Sequence, residues 1–194
     1  MKKSKLMLFA MVITAFSFVS QSAFAQDNFK VNVENSKLTW KGYKPTGDHT
    51  GTITLASGNI ALKNNKLTGG SFVANMSTIK DNDGSAKLEG HLKNADFFDV
   101  TVFPTAKFDI TKTEAKGAKI QVTGNMTIKG ITKQITFPAS LAVNKDNVTL
   151  TSDTFQINRA DFNVKYNSKT FFSDLKDKFI NDDFDFQVTI VAKK

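Results

Sequence analysis

Apolar and polar side chains alternate strictly along most of this chain, and that restricts its fold more than any other feature. Ile120, Val122, Gly124, Met126 and Ile128 alternate with Gln121, Thr123, Asn125, Thr127 and Lys129. A period of two places every apolar side chain on one face of a strand and every polar one on the other. The same pattern runs through Ala106, Phe108 and Ile110, through Ile135, Phe137 and Ala139, and through Phe184, Phe186, Val188 and Ile190. Shorter runs carry Leu38 and Trp40, and Phe72, Ala74 and Met76. These runs predict eight strands, over 37–43, 51–62, 67–78, 105–116, 119–129, 132–143, 148–159 and 183–193.

Turn chemistry punctuates the runs. Asn64-Asn65, Lys116-Gly117, Gly130 and Asn144-Lys145-Asp146-Asn147 fall between them. Asn, Asp and Gly tolerate the positive φ of tight hairpins. Phase breaks at Ser57-Gly58 and near Ser152-Asp153 predict bulges, which let a sheet curl. Two segments leave the strand pattern. Leu88, His91 and Leu92 share one face of a short helix over 85–93. Leu175 and Phe179 suggest a second over 173–180, with Ser173 as its N-cap.

Eight long antiparallel strands with one apolar face close into a barrel, which removes exposed edges. The expected fold is all-β, an extended, lipocalin-like eight-stranded antiparallel barrel with two short helices. Such an interior is either filled by side chains or holds one small ligand. A transmembrane barrel would also alternate, but it would carry girdles of Trp and Tyr. This chain has 18 Phe, one Trp and two Tyr, and its strands are interrupted by helices. A barrel in water is the better reading.

The N-terminal residues read as an address. Lys2, Lys3 and Lys5 precede an apolar stretch from Leu6 to Ser20, shorter than the roughly 20 residues of a membrane span. Ala23-Phe24-Ala25 forms a small-residue cleavage signal. Residues 1–25 are therefore expected to be a cleaved signal peptide, and 26–194 the barrel domain. No Cys is present, so disulfides, thiolate metal sites and lipid attachment at a Cys are excluded. His49 and His91 are the only imidazoles, which argues against multi-His metal centres, and no cofactor or essential metal is expected. Removing the leader takes three Lys and leaves 23 − 18 = +5. The cations are dispersed, and 25 of the 26 are Lys, so nucleic-acid binding is not expected. Contact with anionic lipid surfaces would at most be transient, and homodimerisation is left open.

The stretch Leu88-Glu89-Gly90-His91-Leu92-Lys93-Asn94-Ala95-Asp96-Phe97-Phe98-Asp99-Val100, followed by Phe103-Pro104-Thr105-Ala106-Lys107-Phe108, closely resembles the central signature of the YceI-like family. Val122 to Lys133 and Lys66 to Phe72 resemble it too. Arg159-Ala160-Asp161-Phe162-Asn163 is similar to the family's Arg-x-Asp-Phe-Gly element, with Asn163 where Gly is usual. Thr46 to Gly51 departs from the commoner N-terminal pattern. The resemblance spans nearly all of 37–193. It implies an extended barrel in the bacterial periplasm that binds long apolar molecules, such as polyisoprenoids, isoprenoid quinones or fatty-acid-like lipids, in an internal pocket.

The expected apolar tunnel is lined by Trp40, Phe72, Met76, Leu88, Leu92, Phe98, Phe103, Phe108, Ile128, Phe137 and Phe155. His91 and Arg159 are the candidates for a head-group contact or the mouth. For His91 a satisfied core role is favoured, and for Arg159 a structural ion pair or loop hydrogen bonds. His49 is expected in a solvated loop, and Asp96 and Asp99 in turn capping. No nucleophile elbow, zincin motif, Walker loop or dinucleotide fingerprint is present, so no enzyme activity is expected. The competing readings are a secreted structural or interaction module with a filled barrel, and an enzyme acting on a lipid.

Overall fold

A computed structural model describes residues 26–194. The expected signal peptide over 1–25 lies outside the described residues. The strands are β1 Asp27–Val31, β2 Lys37–Lys44, β3 Gly47–Lys63, β4 Lys66–Asp81, β5 Thr105–Lys116, β6 Lys119–Ile128, β7 Ile131–Val143, β8 Asn147–Ser152, β9 Phe155–Asn158 and β10 Asp183–Lys193. One α-helix, α1 Ala86–Lys93, follows β4. The antiparallel ladder runs β10-β2-β3-β4-β5-β6-β7-β8 and returns to β10, so the sheet closes on itself.

The ten segments make eight staves, because two staves are each built from two pieces. β8 and β9 pair with successive halves of β10, through Val148↔Ala192 to Thr151↔Thr189 and then Phe155↔Phe186 to Asn158↔Asp183. The expected bulge near Ser152 is thus a full interruption. There Asp153 turns outward to pair with Lys119, and its N–H donates to Pro138. β1 was not expected. It takes the place of β2 at the far end of the barrel, pairing with β3 through Phe29↔Ile60 and with β10 through Val31↔Ala192. Its alternation is visible in Phe29 and Val31, but five residues are too few to stand out from a loop.

The turns follow from their residues. Asn64 and Asn65 sit at φ 52° and 59°, and Lys129 and Gly130 at 49° and 73°, the left-handed pairs that two-residue hairpins require. The bulge expected at Ser57-Gly58 is present as a register shift between Leu55 and Ser57. At Gly124 any side chain would collide with Phe108, because a Cβ there would fall inside the contact distance of the Phe108 ring. The missing side chain lets that ring lie across the strand.

The second expected helix does not form. Residues 173–180 contain only a short 3₁₀ turn, Lys176–Lys178, entered at Leu175 with no side-chain cap. Unlike α1, which Ser85 caps and Leu92 anchors in the core, this segment has no side-chain cap and no buried residue to offset the cost of helix nucleation. Phe172 is exposed, and the Phe179 ring instead supports the Lys169 ammonium. Arg159 also leaves its expected strand and opens a 3₁₀ turn, Arg159–Phe162.

Both long connections, 82–104 and 159–182, fall at the same end of the barrel as the β2–β3 and β6–β7 turns. They form a lid. The opposite end carries the β3–β4, β5–β6 and β7–β8 turns and is filled by β1. No described helix is long and apolar enough to cross a membrane.

Candidate functional site: an apolar cavity beneath the lid

The lid half of the barrel is not fully packed. Its cavity measures about 100 Å³, and side chains from β2 to β10 and from the lid enclose it. Nine of the eleven expected lining residues meet there: Trp40, Phe72, Met76, Leu92, Phe98, Phe108, Ile128, Phe137 and Phe155. Phe137 and Phe155 stack at 4.3 Å between centroids, with Phe108 5.5 Å from Phe137 and Phe186 6.4 Å from Phe155. The lining runs along β4 from Phe72 to Ile79, seven steps that span roughly 23 Å of strand.

Below Phe72 the interior is solid. Phe29, Val31, Ile60, Leu62, Leu67, Val122 and Val148 are all buried there and none borders the cavity. The cavity is therefore blind at the β1 end. Anything long that enters must do so through the lid, and its far end must stop against this floor.

Leu88 and Phe103 are the two expected lining residues that the fold places elsewhere. Leu88 is half-buried and packs against the core without bordering the cavity. Phe103 turns away because Asp99, at φ 49°, reverses the chain and accepts the Phe103 N–H. Its ring comes to rest on Gly130 in the β6–β7 turn. Reasoning from sequence missed Phe184, Phe186, Val188, Ile53 and Leu55 as wall residues, although their period-two phase marked them. It read that phase as generic core.

The wall offers little polar chemistry. Trp40 Nε1 is buried there without a hydrogen-bond partner. His91 lies within the lid, outside the cavity. Its ring meets Tyr166 at 4.3 Å and Phe97 at 5.9 Å, and Nε2 stands 3.9 Å from Asp96.

The suggested head-group role of Arg159 needs correction. The side chain is 2% exposed and wholly committed to the lid. Nε donates to Asn181 O, Nη1 to both Val164 O and Tyr166 O, and Nη2 to Ile180 O. Asp182 balances its charge at 3.1 Å. Burial pulls the guanidinium below its ordinary range, and Asp182 opposes that shift. With four of its five N–H groups given to lid carbonyls and its charge paired with Asp182, it ties the two ends of the 159–182 connection together, buried away from a ligand phosphate.

Helix α1 is fixed by its first turn. Ser85 accepts the Leu88 N–H as N-cap, and Glu89 lies where the helix dipole favours an acid. The Glu89 carboxylate accepts from Lys80 Nζ at 3.0 Å and from the Asp81 N–H at 3.2 Å. The Lys80 hydrogen bond is the main reason that this carboxyl lies below its ordinary 4.5, with the Asp81 N–H adding to it and burial opposing. A lowered folded value stabilises the protein above the unfolded value, and that stability is lost as pH falls through the folded one. Glu89→Gln should therefore lower the melting temperature at pH 7. The gap to the parent should close in melts recorded at steps down to about pH 3. A gap that stayed constant with pH would rule out the charge as its cause.

A family model described as the YceI-like domain matches residues 29–192. The chain is 29% identical over 157 residues to Protein YceI of Shigella flexneri, covering 76% of each chain. It is 30% identical over 127 residues to Protein YceI of Salmonella newport, covering 66% of this chain and 60% of that one. Among solved structures, BcnA of Burkholderia cenocepacia superposes with TM-score 0.70 at 22% identity, over 84% of this chain and 99% of that one. A domain from Saccharophagus degradans, described as polyisoprenoid binding, superposes with TM-score 0.66 at 14% identity, over 85% and 97%. At these identities the two structures speak for the fold.

Proposed function

This chain belongs to the YceI-like family, and we propose that it is a carrier that sequesters one long apolar molecule, tail first, in the blind cavity beneath its lid. The observation that carries this reading is the cavity itself: a void of about 100 Å³ whose apolar wall extends along β4 from Phe72 to Ile79, above a floor of buried side chains. A filled structural module has no reason to leave such a void, since a dry void forfeits packing contacts on every side that lines it. The ligand class is a polyisoprenoid, an isoprenoid quinone or a fatty-acid-like lipid. The sealed floor orients it with the tail at Phe72 and the head at the lid. Carriage rather than turnover fits a wall whose one charged residue, Lys107, has its ammonium paired with Asp109. The leader read over 1–25 supports work in the periplasm.

Exchange with a membrane fits the lid end. Val102, Phe171 and Phe172 are exposed there at 63%, 38% and 48%. The segment 163–180 surrounds the last two with Lys165, Lys169, Lys176 and Lys178 against Asp174 and Asp177. Exposed aromatics beside cations suit brief contact with an anionic bilayer.

Denaturing mass spectrometry of the purified protein tests the proposal. A co-purified lipid is expected at close to one per chain. Phe108→Asp, which sets a carboxylate on the cavity wall, should abolish it while Lys112→Ala on the outer surface leaves it in place. Should the parent protein carry no lipid and take none up from vesicles, the carrier reading fails.

A further inference from the structure

His49, Asp81 and Asp83 converge at the rim of the barrel, outside the cavity, with one ligand atom from each lying within 4.8 Å of the others. Two of these atoms are buried without partners. The Asp81 side chain is fully buried, and its Oδ1 accepts no hydrogen bond. Its other oxygen is used, accepting the Ser85 N–H at the start of α1. His49 Nδ1 faces Oδ1 at 3.5 Å and is likewise unpaired. A buried carboxylate oxygen without a donor is costly, and its neighbours usually supply one. Here the Lys80 ammonium is taken by Glu89, and the Asp81 N–H donates to Glu89 as well.

The separation is longer than a hydrogen bond and fits two ligands of one metal ion. A charge-assisted hydrogen bond from imidazolium to carboxylate would draw the two atoms to about 2.8 Å. Two ligands on a tetrahedral zinc, each bound near 2.1 Å, stand about 3.4 Å apart. We propose that His49 Nδ1, the Asp81 carboxylate and the Asp83 carboxylate form a binding site for a divalent first-row transition cation, completed by water. An imidazole with two carboxylates suits zinc or its neighbours rather than calcium or magnesium, which take oxygen alone. The ion would pin the start of the 82–104 connection to β3. Asp81 already anchors Ser85 there, and Asn82 Nδ2 donates to Thr50 Oγ1. The sequence showed the three residues, but 32 positions separate His49 from Asp81 and only the β3–β4 pairing brings them together.

Calorimetric titration of the chelator-stripped protein with zinc chloride tests this site. Binding of one ion per chain is expected. Asp83→Ala, at an exposed position, should weaken it at least tenfold without disturbing the fold, and His49→Ala should do the same. His91→Ala, which removes the other imidazole, should leave it unchanged. Absence of binding by the parent, or equal affinity in the parent and both site variants, overturns the assignment. So does a loss seen only with His91→Ala.

Discussion

Affinity for a set of ligands that share a head group and differ only in tail length should rise about tenfold for each isoprene unit, then stop rising. Full transfer of a CH₂ from water is worth about 0.8 kcal/mol. Bound ligands of this size realise nearer 0.3 kcal/mol per heavy atom, so five carbons contribute roughly 1.5 kcal/mol, a factor of about ten in Kd. The plateau follows from the floor. The tail lengthens by displacing wall side chains around the cavity, and once it spans the roughly 23 Å from Ile79 to Phe72, Phe29, Val31, Ile60 and Leu62 leave no space for further carbons. Ala74→Phe should move that plateau to shorter tails, because Ala74 lines the cavity between the lid and Phe72. Short tails should bind the variant about as well as the parent. A fluorescence titration with tails of increasing length reads both effects. If affinity is flat with length in the parent, the interior is not the site.

The strand phases were legible because one face of every stave is buried and the other wet, so period two survives in the sequence. That is why Trp40, Phe72, Met76, Phe108, Ile128, Phe137 and Phe155 could be placed on the inner face without coordinates. Phase alone does not show which inward residues border a void and which fill the barrel. Val122 and Phe137 pair directly and both point inward, yet only Phe137 touches the cavity. That division depends on β1, a five-residue strand whose pairing partners lie far away in the chain. The lid was least legible. Its segments keep no period, so helical spacing grouped Leu88 with Leu92, although Leu88 packs against the core without bordering the cavity. Phe103 was placed by its neighbours in a loop that Asp99 reverses. The resemblance of the 88–108 stretch to the YceI-like signature marked the lid as informative without showing that its Arg partner, Arg159, works from within the protein.

Arg159→Ala should be the most damaging single substitution in the lid, at about 4 kcal/mol of stability. The guanidinium supplies four hydrogen bonds to the carbonyls of Val164, Tyr166, Ile180 and Asn181. Removing it leaves these carbonyls short of donors, strands the Asp182 charge, and opens space beside Phe97, whose ring lies 5.7 Å from the guanidinium carbon. For a domain of this size the melting temperature should fall by roughly 10 °C. Arg159→Lys should recover only part of the loss, since an ammonium has three donors at one point and cannot span carbonyls on both arms of the loop. The surface pair Lys119–Asp153 provides the contrast: both partners are over two-fifths exposed, and Lys119→Ala should cost less than about 1 kcal/mol. Thermal melts, with hydrogen exchange followed over 159–182, separate the structural role from recognition. The structural role predicts lost stability, faster exchange in that segment, and ligand escape as a consequence. A variant that melted with the parent but lost affinity for phosphate-headed ligands alone would return Arg159 to the head group and refute its assignment as the lid's internal tie.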